Sequence, residues 1–331
     1  MIATPGSINR RTVLARSVSA TALLAISAPA WAAAYPDKPI KLIVPWAPGG
    51  STDAIARALA QRLGETLGQP VIVDNRAGAA GQIGTDAAAK SAPDGYTLLL
   101  VELPHAIAPA VVAKLPYDLL RDFSPITLIG TSPLILFSGV DTPDLKSFLR
   151  AASKSSAPPA IAHSGAGAVS HLAGEIFAQR TGIKFNLVPY RGSAPALTDV
   201  AAGTVAAHFA TLASGASLLA AGKIRALAVS STNRVGVPVL REVPTFTELG
   251  VKDFVVNQWW ALVAPATTPL DILDKLRLQT IGALASPTVQ ARMSTLGVDL
   301  KGSGRDELRA FMRAESTRWQ AVARGIGLQP Q

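Results

Sequence analysis

The stretch Val44-Pro45-Trp46-Ala47-Pro48-Gly49-Gly50-Ser51-Thr52-Asp53 decides the fold, because it joins an apolar run to an amphipathic one through a loop built to face a ligand. Before it, Ile40, Leu42, Ile43 and Val44 make a short run of strand type. After it, Ile55, Leu59, Leu63 and Leu67 recur every four residues, which is one helical face. Two prolines stiffen the loop, two glycines free its backbone to turn or approach a ligand, and Ser51, Thr52 or Asp53 can cap the helix. Unpaired N–H groups and the positive dipole end make such a terminus a seat for a carboxylate or phosphate. An ordinary capped turn would use the same residues, so the context must decide.

Outward from that loop, apolar runs at 40–44, 71–73 and 97–101 alternate with helical patterns at 53–67 and about 82–90. This βαβαβ order predicts an α/β fold, each lobe a mostly parallel sheet flanked by helices, with ligand sites beyond the carboxyl ends of its strands. The loop after the second run, residues 74–84, places Gly78 and Gly81 at a helix start, and the third run leads through Glu102 to His105. An acid directly after an apolar strand belongs at the ligand rim, against the alternative of a solvated charge. Two apolar runs, Ile126–Ile129 and Leu134–Phe137, flank Gly130-Thr131-Ser132-Pro133, a crossing into a second lobe. There the alternation restarts, with strands near 160–162, 185–188, 205–209 and 225–229 and helices near 169–181, 194–201 and 214–221. Its loop Ser164-Gly165-Ala166-Gly167-Ala168, running on to Ser170 and His171, repeats the first device. The apolar run 255–263 carries the chain back to the first lobe, and helices near 269–284, 287–296 and 306–323 follow. The expected division is an export signal at 1–34, a first lobe at 35–131, a second at 132–258 and a return at 259–331.

The 331 residues carry a formal charge of +9, of which Arg10, Arg11 and Arg16 supply three, leaving +6 from Tyr35 onward. A basic start, the apolar stretch Val18 to Ala30 and Ala32-Ala33-Ala34 before Tyr35 describe a cleaved export signal, by the general or the twin-arginine route. There is no cysteine, so disulfides, thiolate metal sites and a cysteine nucleophile are excluded. Positive charge is scattered without lysine or arginine runs, which argues against nucleic acid and against a polybasic membrane site.

Catalytic signatures are scarce. Gly165-Ala166-Gly167-Ala168-Val169-Ser170 approaches a dinucleotide fingerprint, but Ser170 replaces the third glycine. The chain lacks G-x-S-x-G, H-E-x-x-H and the P-loop pattern, and its four histidines show no metal spacing. No cofactor and no metal are expected. Trp259 and Trp260 alternate across a strand, so one packs in the core while the other faces the cleft. Tyr190 is a strand-end residue and Arg191 a loop-tip charge able to clamp a carboxylate.

Taken together, several segments resemble the Bug receptors, the substrate-binding proteins of the tripartite tricarboxylate transporter family. They include residues 35–40, Trp46 to Asp53, Asn75-Arg76, Pro93-Asp94-Gly95-Tyr96-Thr97, Ser170-His171-Leu172-Ala173-Gly174-Glu175, Val188-Pro189-Tyr190-Arg191-Gly192-Ser193 and Arg225-Ala226-Leu227-Ala228-Val229. The resemblance covers nearly the whole chain after the signal. It implies a two-lobed periplasmic binding protein, a monomer, closing on a small carboxylate-bearing ligand and handing it to a membrane permease or a sensor kinase. It also implies that Trp46 to Asp53 and Ser164 to His171 grip the carboxylate largely through backbone groups and bridging waters; the expected ligand contacts further include Gly78, Gly81, Glu102, His105, Tyr190, Ala210, Thr211 and Trp259. Departures concern the ligand: Glu102 stands among small residues' places, Ala166 and Ala168 replace polar ones, and Phe209-Ala210-Thr211 replaces a frequent Phe-Asp-Asn. The runner-up expectation is an exported hydrolase using His105 or His171 with a serine.

Overall fold

A computed structural model of the protein describes residues 1–2, 35–165, 167–327 and 330. The residues from Lys38 onward form one compact unit, and the architecture below is theirs. The expected export signal lies almost wholly outside the described residues.

The apolar run before the organising loop is strand β1, Ile40–Val44, in which every residue but Lys41 is buried. Helix α1, Ser51–Leu67, turns Ile55, Leu59 and Leu63 fully inward. Gly68 ends it at φ 71°, its N–H on the Gly64 carbonyl at 3.1 Å, a left-handed cap that glycine adopts without strain. Then follow β2 (Val71–Asn75), α2 (Gln82–Ala89), β3 (Thr97–Glu102), α3 (Leu103–Val111) and β4 (Phe123–Pro133). The second set is β5 (Ile135–Gly139), α4 (Leu145–Lys154), β6 (Ala160–His163), α5 (Val169–Thr181), β7 (Asn186–Pro189), α6 (Ser193–Ala201), β8 (Ala207–Ala210), α7 (Leu212–Ala220) and β9 (Ile224–Val229). The chain ends through β10 (Asn257–Pro265), α8 (Leu270–Leu284), α9 (Pro287–Thr295), β11 (Asp299–Leu300) and α10 (Arg305–Gly325). Helix α4 adds to the elements read from the sequence: Leu145, Phe148, Leu149 and Ala152 keep helical spacing, with Leu145, Phe148 and Ala152 buried, and Asp144 starts it by accepting the Ser147 N–H at 2.7 Å.

Among the described residues the strands form two sheets, ordered β2-β1-β3-β10-β4-β11 and β7-β6-β8-β5-β9. Both are mixed, which corrects the expectation of mostly parallel sheets. β1 is parallel to β2 and β3, whereas β10 is antiparallel to β3 and β4. β6 is parallel to β7 and β8, whereas β5 is antiparallel to β8 and β9. The reason is the crossing itself. Only Leu134 separates β4 from β5, so β4 points toward the second sheet, while β10 returns from it and must run the other way alongside.

The crossing is tied at one residue. Leu134 donates its N–H to the Ser230 hydroxyl at 2.8 Å and accepts the Ser230 N–H at 2.8 Å, and that hydroxyl donates to the Val256 carbonyl. Val256 in turn donates to the Ser230 carbonyl at 3.3 Å. A continuous apolar cluster flanks this knot, from Ile43, Leu99 and Val101 to Phe177, Phe209, Phe246 and Phe254. Helix α10 closes the first sheet, packing on α3 and β4 and burying Leu308, Met312 and Trp319. Ser230→Ala leaves the Leu134 N–H and the Val256 carbonyl only their own 3.3 Å bond to each other, so it should lower unfolding stability by about 0.5–1.5 kcal/mol in urea titration.

Candidate functional site

The loop after β1 is held from inside by Asp53. One carboxylate oxygen accepts the Gly49 N–H at 3.0 Å and the Arg57 Nε at 2.9 Å, and the other accepts the Asn75 amide at 3.0 Å. The same amide donates to the Trp46 carbonyl at 3.1 Å. The Arg57, Gly49 and Asn75 bonds hold the Asp53 carboxyl below its ordinary value against the opposing pull of burial, the largest single effect. Asp53 is thus a brace for the loop. Of the two glycines, only Gly49 uses a left-handed conformation, at φ 89°; Gly50 is extended at φ −79° and is the cap residue, without a side chain to offer. The caps expected from Ser51, Thr52 or Asp53 are therefore not made, and the N–H groups of Gly50, Ser51 and Thr52 have no partner among the described residues. Ala47, Pro48, Gly49 and Gly50 are exposed in front of them.

The second loop leans on the first. Gly78, Ala79, Ala80 and Gly81 run through φ 132°, 46°, 52° and 90°, and a Cβ on Gly81 would stand 3.2 Å from the Trp46 ring. Such left-handed backbone at two alanines is costly and persists where surroundings over-determine it. Here the Thr85 hydroxyl donates to the Gly81 carbonyl at 2.8 Å and meets His105 Nε2 at 2.9 Å. Thr85 thus ties the Gly81 carbonyl to His105 Nε2, while His105 Nδ1 lies 3.1 Å from the Glu102 nitrogen and 3.0 Å from the Glu102 carbonyl oxygen. Burial pushes His105 down to about 4, so it is neutral and acts as a link between loops. Tyr117 and Trp46 pack around its ring.

The register of β10 sorts the two tryptophans. Trp260 lies opposite Glu102 across the sheet, so Trp260, Gln258 and Glu102 share one face and Trp259 takes the other. Trp259 is buried against Phe311 with its indole on Glu315 at 3.0 Å, which removes it from the expected set of ligand contacts. Trp260 instead donates its indole N–H to the Thr52 hydroxyl at 3.0 Å, and that hydroxyl donates to Glu102. Gln258 also reaches the Glu102 carboxylate. Burial dominates over these three donors and pushes Glu102 up to about 7.

On the second sheet, Ser164 donates its N–H to the Ser170 hydroxyl at 2.9 Å and shares a hydroxyl contact with Ser193 at 3.0 Å. Gly165 and Gly167 take φ 124° and 74°, and Ala168 caps α5 without a side-chain bond; Ala166 lies outside the described residues. His171 Nδ1 accepts the Gly167 N–H at 3.3 Å, and its ring stacks on His163 at 4.5 Å between centroids. Burial lowers both imidazoles. Tyr190 commits its hydroxyl to Asp199 at 2.6 Å. Ala210 and Thr211 are buried at the entry to α7, and the Thr211 hydroxyl has no partner. Trp46 Nε1, Asn257 Oδ1 and Gln258 Oε1 are likewise buried without partners. The two halves meet at close range. A Cβ on Gly167 would lie 2.9 Å from Val111 of α3, and one on Gly297 would lie 2.9 Å from Leu212 of α7.

Among the described residues no serine hydroxyl is hydrogen-bonded to an imidazole, and no three His, Asp or Glu side chains group as a metal site. Sequence reasoning missed Arg57, Thr85 and Gln258, named Asn75 only within a matching motif, and left open which of Trp259 and Trp260 faces the cleft; their roles follow from strand register and loop contact. Residues 55–328 match the family model described as the tripartite tricarboxylate transporter family receptor. The chain belongs to this receptor family. It is 41% identical over 310 residues to Protein BugT of Bordetella pertussis, covering 91% of this chain and 93% of that protein. The solved periplasmic binding protein BugD aligns with a TM-score of 0.83 at 33% identity, over 90% of this chain and all 100% of BugD. An R. palustris protein solved with adipate aligns with a TM-score of 0.85 at 32% identity, over 90% and 100% of the two chains. The architecture is therefore the two-lobed α/β fold of periplasmic binding proteins, and the family is one of receptors rather than hydrolases.

In this Bug-type receptor Glu102 sets a pH dependence. Its folded-state value is raised, so the folded chain keeps a proton that the unfolded chain loses near 4.5. The group's stabilising proton is fully present below that value and lost as pH rises to about 7. Glu102→Gln should match the parent near pH 4.5 and exceed it at pH 8 by on the order of 3 kcal/mol. Thermal unfolding across that range measures it; a constant offset would count against a buried, titrating Glu102.

Proposed function

We propose that this protein is an exported receptor that captures a small carboxylate-bearing ligand between its two lobes. The observation that carries the reading is the row of free N–H groups at Gly50, Ser51 and Thr52, held open by the Asp53 brace at the start of α1. These donors and the dipole of a 17-residue helix favour an anion there. The second glycine loop, Ser164 to His171, faces the same ligand from the other lobe, and the adipate found with an R. palustris relative has the fitting chemistry. The division we propose, 35–131 with 259–331 as one lobe and 132–258 as the other, is supported to within three residues by the crossings at Leu134 and Val256, which leave residues 132–133 and 257–258 on the first sheet. The family's receptor character points to delivery to membrane permease subunits of a tripartite tricarboxylate transporter, or to a sensor kinase. The receptor works as a monomer in the periplasm, after removal of the signal near Ala34.

Ser51→Pro removes one of the three donors at a position where proline suits a helix start, and the extended Gly50 before it accommodates the ring. Calorimetry with adipate should show at least about a tenfold loss for Ser51→Pro, the scale of one charge-assisted hydrogen bond. Ser51→Ala, which keeps the N–H, should lose less than about threefold. Equal losses in both would count against a backbone site. Intact mass of the periplasmic form should correspond to a chain beginning at Tyr35, and a start far from it would remove the export assignment.

A further inference from the structure

Beneath the α1 terminus lies a buried acid that the carboxylate reading does not use. Glu102 and Gln258 are each about 5% exposed, on the sheet face that reaches Thr52. The Glu102 carboxylate receives Thr52, Trp260 and Gln258, all neutral donors, and no cation stands among the groups that act on it. Asp53, one residue from Thr52, shows the contrast: its carboxylate has Arg57 at 2.9 Å. Gln258 keeps its own Oε1 buried without a partner beside this acid. A buried carboxylate without a counter-charge, next to a buried acceptor without a donor, is costly unless a proton or a ligand supplies what is missing. The flanking charged and titratable groups do not supply it. His105 is neutral with Nε2 on Thr85, and Asp53 is occupied by Arg57, Asn75 and Gly49.

We propose that Glu102 and Gln258 form an acceptor pair that selects ligands bearing a protonated amine in addition to the carboxylate. The inference rests on the cleft reading above and names the ligand class within it. The carboxylate end takes the free N–H groups of Gly50 to Thr52, and the ammonium donates to Glu102 and to Gln258 Oε1. Both unmet needs are then satisfied by one group, because an ammonium carries three donors and a full charge. A simple dicarboxylate brings a second anion toward Glu102 instead, so it binds only as that acid takes up a proton.

Matched pairs that differ in this one group test the proposal: glutamate against glutarate, and 6-aminohexanoate against adipate, each titrated calorimetrically into the mature chain at pH 7.5. The amino member of at least one pair should bind tenfold or more tightly. In buffers of different ionisation enthalpy, the diacid should bind with net proton uptake and the amino ligand without it. Glu102→Gln should reverse the ranking, weakening the amino ligand tenfold or more, strengthening the diacid and abolishing its proton uptake. Gln258→Met leaves the acid in place and should weaken the amino ligand alone by several-fold; it carries the test if Glu102→Gln lacks native circular dichroism. Diacids binding at least as tightly as their amino counterparts, or a ranking unmoved by either substitution, would overturn the acceptor pair while leaving the carboxylate receptor intact. Failure of every carboxylate in both pairs would instead remove the cleft reading and this inference with it.

Discussion

Ser230 holds the molecule together as a receptor. The chain passes between its two sheets at Leu134 and at Val256, and the Ser230 side chain bonds to both crossings while its backbone pairs with both. Two extended segments joined side by side resist shear but can twist together, which suits lobes that must approach without separating. Hinges of this kind are a few residues at element ends that absorb backbone rotation. The contacts of Gly167 with Val111 and of Gly297 with Leu212 lie where the lobes meet, and both glycines have left-handed backbone. No side chain stands at those two points, so the opposite lobe can come within van der Waals distance.

The ligand-facing loops follow a common economy. Each is braced by side chains that point into the protein; in the first the N–H groups of Gly50, Ser51 and Thr52 stay unused, whereas on the second sheet Ser164, Gly165, Gly167 and Ala168 spend theirs on the bracing contacts and within the loop. Asp53 secures the first loop, Thr85 and His105 the second, and Ser170 and Ser193 the one on the second sheet. A brace that satisfied the first N–H groups of α1 would have closed the site. Gly50 at the cap position avoids this, since it has no oxygen to offer. Rigid loops with free donors lower the ordering cost of binding.

Much of this was legible in order along the chain. The strand-loop-helix reading of Val44 to Leu67 stands, as does the restart of alternation near residue 160, because apolar periodicity reports burial directly. The mixed sheets were not legible, since strand direction depends on where a crossing leads rather than on residue pattern. Helix α4 was legible but not read: Leu145, Phe148, Leu149 and Ala152 hold helical spacing behind Asp144, a residue of N-cap type. Glu102 was legible as a rim position from its place after an apolar strand, but its depth was not: Trp260, Thr52 and Gln258, which bury it, are 158, 50 and 156 residues away in the chain.

By itself the sequence determined the family, the α/β elements, the glycine loops and the absence of thiol chemistry, all of which reside in residue identity and spacing. Tertiary structure alone decided which tryptophan shares a sheet face with Glu102, that Asp53 braces its loop, that His105 is a neutral link, and that Glu102 is buried without a cation. The physical reason is that a side chain's charge state and its freedom to bind depend on solvent access and on partners brought from distant segments. Those are properties of strand register and packing, and no local stretch of sequence encodes them.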